Sequence, residues 1–152
     1  MRAYHGDPAL KAAVLAEMAG HRAGETLIKG VYWVAGWGCA VGCLTHDPDG
    51  GHSQYPERWG IPEELARLED AIFENLPHED ARVWPERFLA AIETGADLSG
   101  VHAAWANATA LPEAMRWPEA MRWQWMADLL IASIEAAPVV ALLAAEPERV
   151  CR

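Results

Sequence analysis

The stretch that decides the fold is residues 62–75, which read PEELARLEDAIFEN. Leu65, Leu68 and Ile72 recur at intervals of three and four residues, and this spacing places them on one face of a helix. Pro62 stands where the first turn of a helix accepts proline, and the two acidic residues after it suit the positive end of the helix dipole. Residues 62–75 are therefore predicted to form an amphipathic helix.

Apolar stripes with the same helical spacing recur on both sides of this segment. They cover residues 10–18, 84–92 and 126–134, and Asp7 precedes the first of them as a candidate N-cap. The β-branched and aromatic residues at 26–34 have no obvious partner strand, so we expect that segment to be extended or irregular. The sequence thus predicts an all-α fold with at least five helices, in one compact domain over residues 1–152 and without an extended sheet.

Two neighbouring helices joined by a short proline-bounded loop are expected to pack together and form the core. The side chains predicted to be buried between them are Leu65, Leu68, Ile72, Phe88, Leu89 and Ile92. Acidic pairs such as Glu69–Asp70 are interpreted as exposed faces of these helices. A further helix is predicted to begin near Pro85, because proline is tolerated in a first turn.

A hexapeptide is duplicated in the second half of the chain. Residues 112–117 read PEAMRW, and residues 118–123 repeat those six letters. Two copies of this length are too short for a repeat architecture, so we interpret them as a local duplication. Pro118, at the junction, is expected to break or kink any helix that passes through it.

The charge of the chain excludes several kinds of partner. There are 22 acidic and 12 basic residues, for a net charge of −10, and most of the excess lies after residue 60. Such a surface repels phosphates, so we expect neither nucleic acid nor an anionic membrane as a partner. The sequence has no apolar stretch of transmembrane length and no visible secretory signal, so a cytoplasmic protein is predicted.

Cys39 is the leading candidate for chemistry. The glycines of Gly36-Trp37-Gly38 free the backbone just before it, and a cysteine at a helix N-terminus has its pKa lowered by the helix dipole. A thiol enzyme would use Cys39 as nucleophile, with Gly38 and Trp37 contacting a ligand. Its base would be a histidine, for which the candidates are His5, His21, His46 and His52.

A metal site is the second chemical interpretation of the same segment. Cys39, Cys43 and His46 are spaced to share one face of a helix, and His52 follows in the next loop. Thiolates and imidazoles are zinc ligands, so a zinc ion is the cofactor that this set would take, although the spacing is not one of the ordinary zinc motifs.

Packing explains the same residues without chemistry. Glycine, alanine and cysteine over residues 38–43 are also what a helix needs when it passes very close to its neighbours. The third cysteine, Cys151, leaves an odd count, and three cysteines in 152 residues indicate a reducing compartment and no disulfide scaffold.

Four short motifs carry a resemblance. They are YHGD at 4–7, GCAVGC at 38–43, GIPE followed by LARLED at 60–70, and WP with FL at 84–89. Together they resemble a group of small bacterial and phage-encoded proteins to which no activity is assigned, over residues 4–98. The resemblance implies a phage or prophage setting. We therefore expect a protein that acts on a host protein through its acidic helical surface, with the thiol enzyme and the metal-binding domain as alternatives.

Overall fold

A computed structural model describes residues 1–139 of the chain, and these residues form seven α-helices and one small hairpin. The helices are α1 (Pro8–Ala23), α2 (Ala40–Thr45), α3 (Tyr55–Trp59), α4 (Glu63–Asn75), α5 (His78–Ala91), α6 (Val101–Thr109) and α7 (Glu119–Glu135). Strands β1 (Trp33–Val34) and β2 (Trp37–Gly38) pair antiparallel, and short 3-10 helices cover Ala3–Gly6, His52–Gln54 and Pro112–Arg116. The predicted all-α fold is confirmed.

The described range leaves out part of what the sequence analysis singled out. Cys151 and the apolar residues that follow Val139 lie outside it. Across residues 1–139, no helix combines the length and the apolar character that crossing a bilayer requires.

The core is built around α4, which contacts α5, α2 and α7, while α1 packs on α5 and α6 on α7. Five of the six predicted core residues are fully buried: Leu65, Ile72, Phe88, Leu89 and Ile92. Leu68 is the exception, since it is only partly buried at the edge of the cluster. The buried face of α4 is wider than the predicted stripe because α2, α3, α5 and α7 all contact this helix, and it includes Ala66, Glu69, Asp70 and Phe73.

The helix ends follow local signals, with one exception. The Asp7 carboxylate accepts a hydrogen bond of 2.9 Å from the Ala9 N–H and caps α1 as predicted. Helix α5 does not begin at Pro85, as the sequence suggested, but at His78, after Pro77. Pro85 thus lies inside the helix, where it forgoes one backbone hydrogen bond, and its ring is buried in the core.

The two copies of the hexapeptide adopt different structures. The first copy forms the 3-10 helix Pro112–Arg116, whereas the second supplies the N-cap Pro118 and the first turns of α7. Pro118 therefore separates two elements, as predicted. Ala114 of the first copy is buried, and Ala120, its counterpart, is exposed.

The segment before α2 wraps closely around that helix. The Ile28 N–H donates to the Gly38 carbonyl at 2.9 Å, and the Cys39 N–H donates to the Val31 carbonyl at the same distance. A Cβ atom at Gly42 would lie 1.6 Å from the Tyr32 carbonyl oxygen, and one at Gly38 would lie 2.1 Å from it. These two glycines are therefore required by close packing, which is the non-chemical explanation that the sequence left open for them.

Candidate functional site

The predicted site residues gather at α2, but its two ends face different neighbours. Helix α2 begins at Ala40, so Cys39 is the N-cap with an extended backbone, and its Sγ accepts a hydrogen bond of 3.4 Å from the Gly42 N–H. Cys43 lies within the helix, and its thiol donates to the Gly38 carbonyl at 3.3 Å. The two thiols therefore do not share a helix face.

The predicted metal set does not converge for this reason. Two clusters of potential ligands occur among residues 1–139. Cys39 lies close to two carboxylates of α4, and His46 lies close to two residues of α1. Cys43 and His52 belong to neither group. Burial, with a contribution from the Glu17 carboxylate, raises the pKa of the Cys43 thiol to about 12.

At the first end of α2, Cys39 is fully buried beside Asp70 and Glu74. Its Sγ and one oxygen of each carboxylate all lie within 4.8 Å of one another. Burial, and secondly the negative charge of Asp70, raises the pKa of the Cys39 thiol well above its usual range. The sequence suggested a lowered pKa from the helix dipole, but desolvation and a neighbouring carboxylate outweigh the dipole of this short helix.

His52 reaches this end of α2 only through Asp70. Its Nε2 donates a hydrogen bond of 2.9 Å to Asp70 Oδ2, and both side chains are largely buried. The ring of Tyr32 packs edge-on against the imidazole, with centroids 5.6 Å apart. The second oxygen of Asp70, Oδ1, is buried and has no hydrogen-bond partner.

A cavity of about 270 Å³ leads to the two carboxylates. It is lined by Gly30, Val31, Tyr32, Asp70 and Glu74. Glu74 accepts hydrogen bonds of 3.0 and 3.1 Å from the Gly30 N–H, and burial is the first cause that raises the pKa of its carboxyl. Because Val31 and Tyr32 are exposed, the cavity connects the buried carboxylates with the surface.

Glu69 lies behind this site and is fully buried. Its Oε2 accepts a hydrogen bond of 2.9 Å from the Tyr55 hydroxyl, while Oε1 has no partner. Burial raises the pKa of Glu69 to about 8, so the carboxyl is mostly protonated at neutral pH. The expectation that Glu69–Asp70 is exposed is wrong, and the signal was in the spacing: both carboxylates continue the stripe between Ala66 and Phe73.

At the other end of α2, His46 meets Glu17 and His21 of α1. One carboxylate oxygen and one nitrogen from each imidazole lie within 4.8 Å of one another, and His46 Nε2 is 2.8 Å from Glu17 Oε1. Trp33 stacks on the His46 ring at 4.3 Å and packs edge-on against His21 at 5.8 Å. Glu17, four residues before His21, was the sequence signal for this cluster, and it was overlooked.

Thr26 contacts both the imidazole and the backbone of His21. The Thr26 hydroxyl oxygen lies 3.2 Å from the His21 carbonyl oxygen, to which it can donate, and 2.7 Å from His21 Nδ1. When the hydroxyl donates to the carbonyl, Nδ1 carries the proton of the neutral ring and donates to the hydroxyl oxygen, and Nε2 keeps its lone pair. A neutral histidine of this tautomer can bind a metal ion through Nε2.

The remaining predicted residues lie elsewhere. His5 is exposed, and its Nε2 contacts the Glu57 carbonyl of α3 at 2.8 Å. Gly38 is buried under Tyr32, and Trp37 is 45% exposed on the hairpin. Neither Gly38 nor Trp37 lines the cavity beside Asp70.

A wider cavity, of about 520 Å³, lies between α6 and α7. Its described lining is mostly alanine and other apolar residues, and Asp97 is the one titratable group there. It therefore offers no set of groups that could perform chemistry or hold a metal ion.

Comparison of the chain with protein-family models, curated proteins and solved structures gives no match. The phage setting inferred from the four sequence motifs thus stays a prediction. The function is argued below from the geometry of the described residues.

Proposed function

We propose that the protein binds a divalent transition-metal ion, zinc foremost, through Glu17, His21 and His46. The observation that carries the proposal is the hydrogen bonding of His21. The Thr26 hydroxyl lies 2.7 Å from His21 Nδ1, and a hydroxyl that donates to the His21 carbonyl holds the ring proton on Nδ1 and leaves Nε2 free to bind an ion. A second residue that fixes the tautomer in this way is a regular feature of metal-binding histidines.

The chemistry of the three groups fits such an ion. Two imidazoles and one carboxylate are the protein ligands of many zinc hydrolases and of non-haem iron enzymes. Ligand atoms about 2.0–2.2 Å from a tetrahedral zinc ion lie roughly 3.3 Å from one another. Glu17 Oε1 and His46 Nε2, now 2.8 Å apart, therefore need to separate only slightly. Their side chains are 38% and 51% exposed, which leaves room for that movement.

Three protein ligands leave at least one coordination position for water or a substrate. Because the His46 side chain is 51% exposed, solvent water can reach an ion bound there. The parallel contact with Trp33 holds the imidazole in place without using either of its nitrogens. The arrangement thus supports an ion that exchanges its outer ligand, rather than one enclosed for structural purposes alone.

Thiol catalysis has less support. Cys39 is fully buried, and among residues 1–139 no histidine nitrogen makes a hydrogen bond with its Sγ. Its closest titratable neighbour is the Asp70 carboxylate, which opposes formation of a thiolate.

Calorimetric titration of chelator-treated full-length protein with zinc tests the proposal. We expect His46→Ala and Glu17→Gln each to lower the number of bound ions by one. Thr26→Val, which removes only the tautomer-fixing hydroxyl, should weaken binding at this site about 10- to 100-fold. His78→Ala, at an exposed histidine of α5, is the matched control and should bind like the unmodified protein. An unchanged number of bound ions in both ligand variants would overturn the proposal.

A further inference from the structure

Three potential anions are held together at the end of α2 that Glu17 and His46 do not reach. Cys39 Sγ and one carboxylate oxygen each from Asp70 and Glu74 lie within 4.8 Å of one another. Cys39 is fully buried, Asp70 is 9% exposed, and Glu74 is partly buried. When Asp70 and Glu74 are both ionised, their charges repel one another in a site with little water, and a bound cation offsets that repulsion.

Each of the three groups already has an N–H donor. The Gly42 N–H donates to Cys39 Sγ at 3.4 Å, His52 Nε2 to Asp70 Oδ2 at 2.9 Å, and the Gly30 N–H to Glu74 at 3.0 Å. Donors of this kind orient thiolates and carboxylates that bind a metal ion. Each of the three groups keeps at least one further lone pair with which it can bind an ion.

Few positive groups among residues 1–139 face the two carboxylates. His52 contacts Asp70 directly and is charged only when its imidazole is protonated. The charge of Lys29 partly offsets the burial that raises the pKa of Glu74, but the Lys29 ammonium group donates its hydrogen bond to the Leu76 carbonyl and not to the carboxylate. Asp70 Oδ1 is buried without any partner, which is costly for a carboxylate oxygen unless a ligand occupies the site.

We infer that Cys39, Asp70 and Glu74 form a second site for a divalent transition-metal ion, which enters through the cavity between Tyr32 and α4. The inference uses none of the ligands of the site proposed at Glu17, His21 and His46, and it does not depend on that site. Binding replaces the thiol proton of Cys39 by the metal ion, and the proton is released to the solvent.

The donor set selects the class of ion. Magnesium and calcium bind oxygen ligands and do not favour a thiolate, whereas zinc and cobalt(II) accept sulfur together with carboxylate oxygen. The cavity beside Asp70 and Glu74 leaves space for water to complete the coordination. We therefore assign the site to zinc or a metal of similar preference.

Titration of the chelator-treated protein with cobalt(II) alone tests the inference, because a thiolate bound to this metal gives a charge-transfer absorption in the near ultraviolet. We expect the unmodified protein to show this band and Cys39→Ser to lack it. Cys43→Ser, at the neighbouring buried thiol, and Cys151→Ser are matched controls that should retain it. His46→Ala should retain it as well, which separates this inference from the proposed function.

Cys39→Ser could lose the band because the protein fails to fold. Glu74→Gln is a second ligand variant that is less disruptive to folding, since Glu74 is only partly buried and lines the cavity. We expect it to raise the cobalt concentration needed for half of the band at least tenfold while circular dichroism stays unchanged. Absence of the band in the unmodified protein, its persistence in Cys39→Ser, or an unchanged midpoint in Glu74→Gln would each overturn the inference.

Discussion

At Gly42 the Tyr32 backbone comes so close that a Cβ atom would lie 1.6 Å from the carbonyl oxygen. The obstacle is backbone, which cannot rotate away as the end of a flexible side chain can. We therefore expect Gly42→Ala to destabilise the protein by about 1–3 kcal/mol or more, the usual cost of overpacking. Equilibrium unfolding in urea measures this loss.

Gly20→Ala is the control for that prediction. Gly20 lies in α1 with nothing within 4 Å of its hypothetical Cβ atom, so alanine should stabilise the helix there by roughly 0.5–1 kcal/mol. Equal effects of the two substitutions would show that the Tyr32 carbonyl does not constrain position 42.

At the candidate sites, an error of one residue in a predicted helix start was enough to group the wrong ligands. Cys39 and Cys43 share a helix face only if the helix includes both, and α2 begins one residue too late. Boundaries of one or two residues are the least certain part of any sequence-based assignment. The partners Asp70 and Glu74 come from α4, and no local pattern around Cys39 could have indicated a contact with that helix.

Among the elements, the duplicated hexapeptide allows a test with a built-in control. Ala114 and Ala120 have identical neighbours in sequence, but Ala114 is buried in a 3-10 helix and Ala120 is exposed in α7. A glutamine at position 114 would place an amide at a buried position, since Ala114 is 3% exposed. We expect Ala114→Gln to lower the free energy of unfolding by about 1–3 kcal/mol, as for a buried polar group without partners.

The equivalent change at the second copy should be nearly silent. Ala120→Gln is expected to stay within about 0.5 kcal/mol of the unmodified protein, the range of ordinary surface substitutions. Thermal or urea unfolding of the pair gives the comparison. If both variants lose the same stability, the two copies do not differ in environment.

Helices with a clear apolar stripe could be predicted from sequence, because a helix with one buried face has apolar residues at every third or fourth position. That is why α1, α4 and α7 were expected, each with an accompanying proline or cap. The hairpin of Trp33–Val34 with Trp37–Gly38 was not expected, since strands of two residues have almost no pattern of their own. Pro85 is tolerated in the middle of α5 because its ring is buried in the core, and such tertiary contacts have no local sequence pattern.

For the molecule as a whole, Glu69 predicts how stability changes with pH. Its pKa is about 8 in the folded protein against the ordinary value of 4.5 for a glutamate, so between these values the folded state holds a proton that the unfolded state has lost. The stabilisation is complete below about pH 4.5 and is lost as the pH rises towards 8. Glu69→Gln removes this loss, because an amide does not ionise.

Urea unfolding in chelator-containing buffer at several pH values measures the effect. The variant should gain stability relative to the unmodified protein as the pH rises from 5 to about 8, with no further gain above that. Glu79→Gln, at a side chain that is 81% exposed, should follow the unmodified protein in parallel. A difference between Glu69→Gln and the unmodified protein that is the same at every pH would mean that Glu69 ionises alike in both states.

The shortness of α2 has a consequence for the relation between its two ends. The helix has six residues, Gly42 fixes its middle against Tyr32, and Cys39 and His46 cap its opposite ends. We therefore expect a displacement of one cap to be transmitted to the other, because so short and closely packed a helix has little room to deform internally. Thermodynamic linkage then demands reciprocity: whatever factor occupancy at Cys39 imposes on affinity at His46, occupancy at His46 imposes on Cys39. Cooperativity between the two ends is thus a measure of how rigidly this one helix is held.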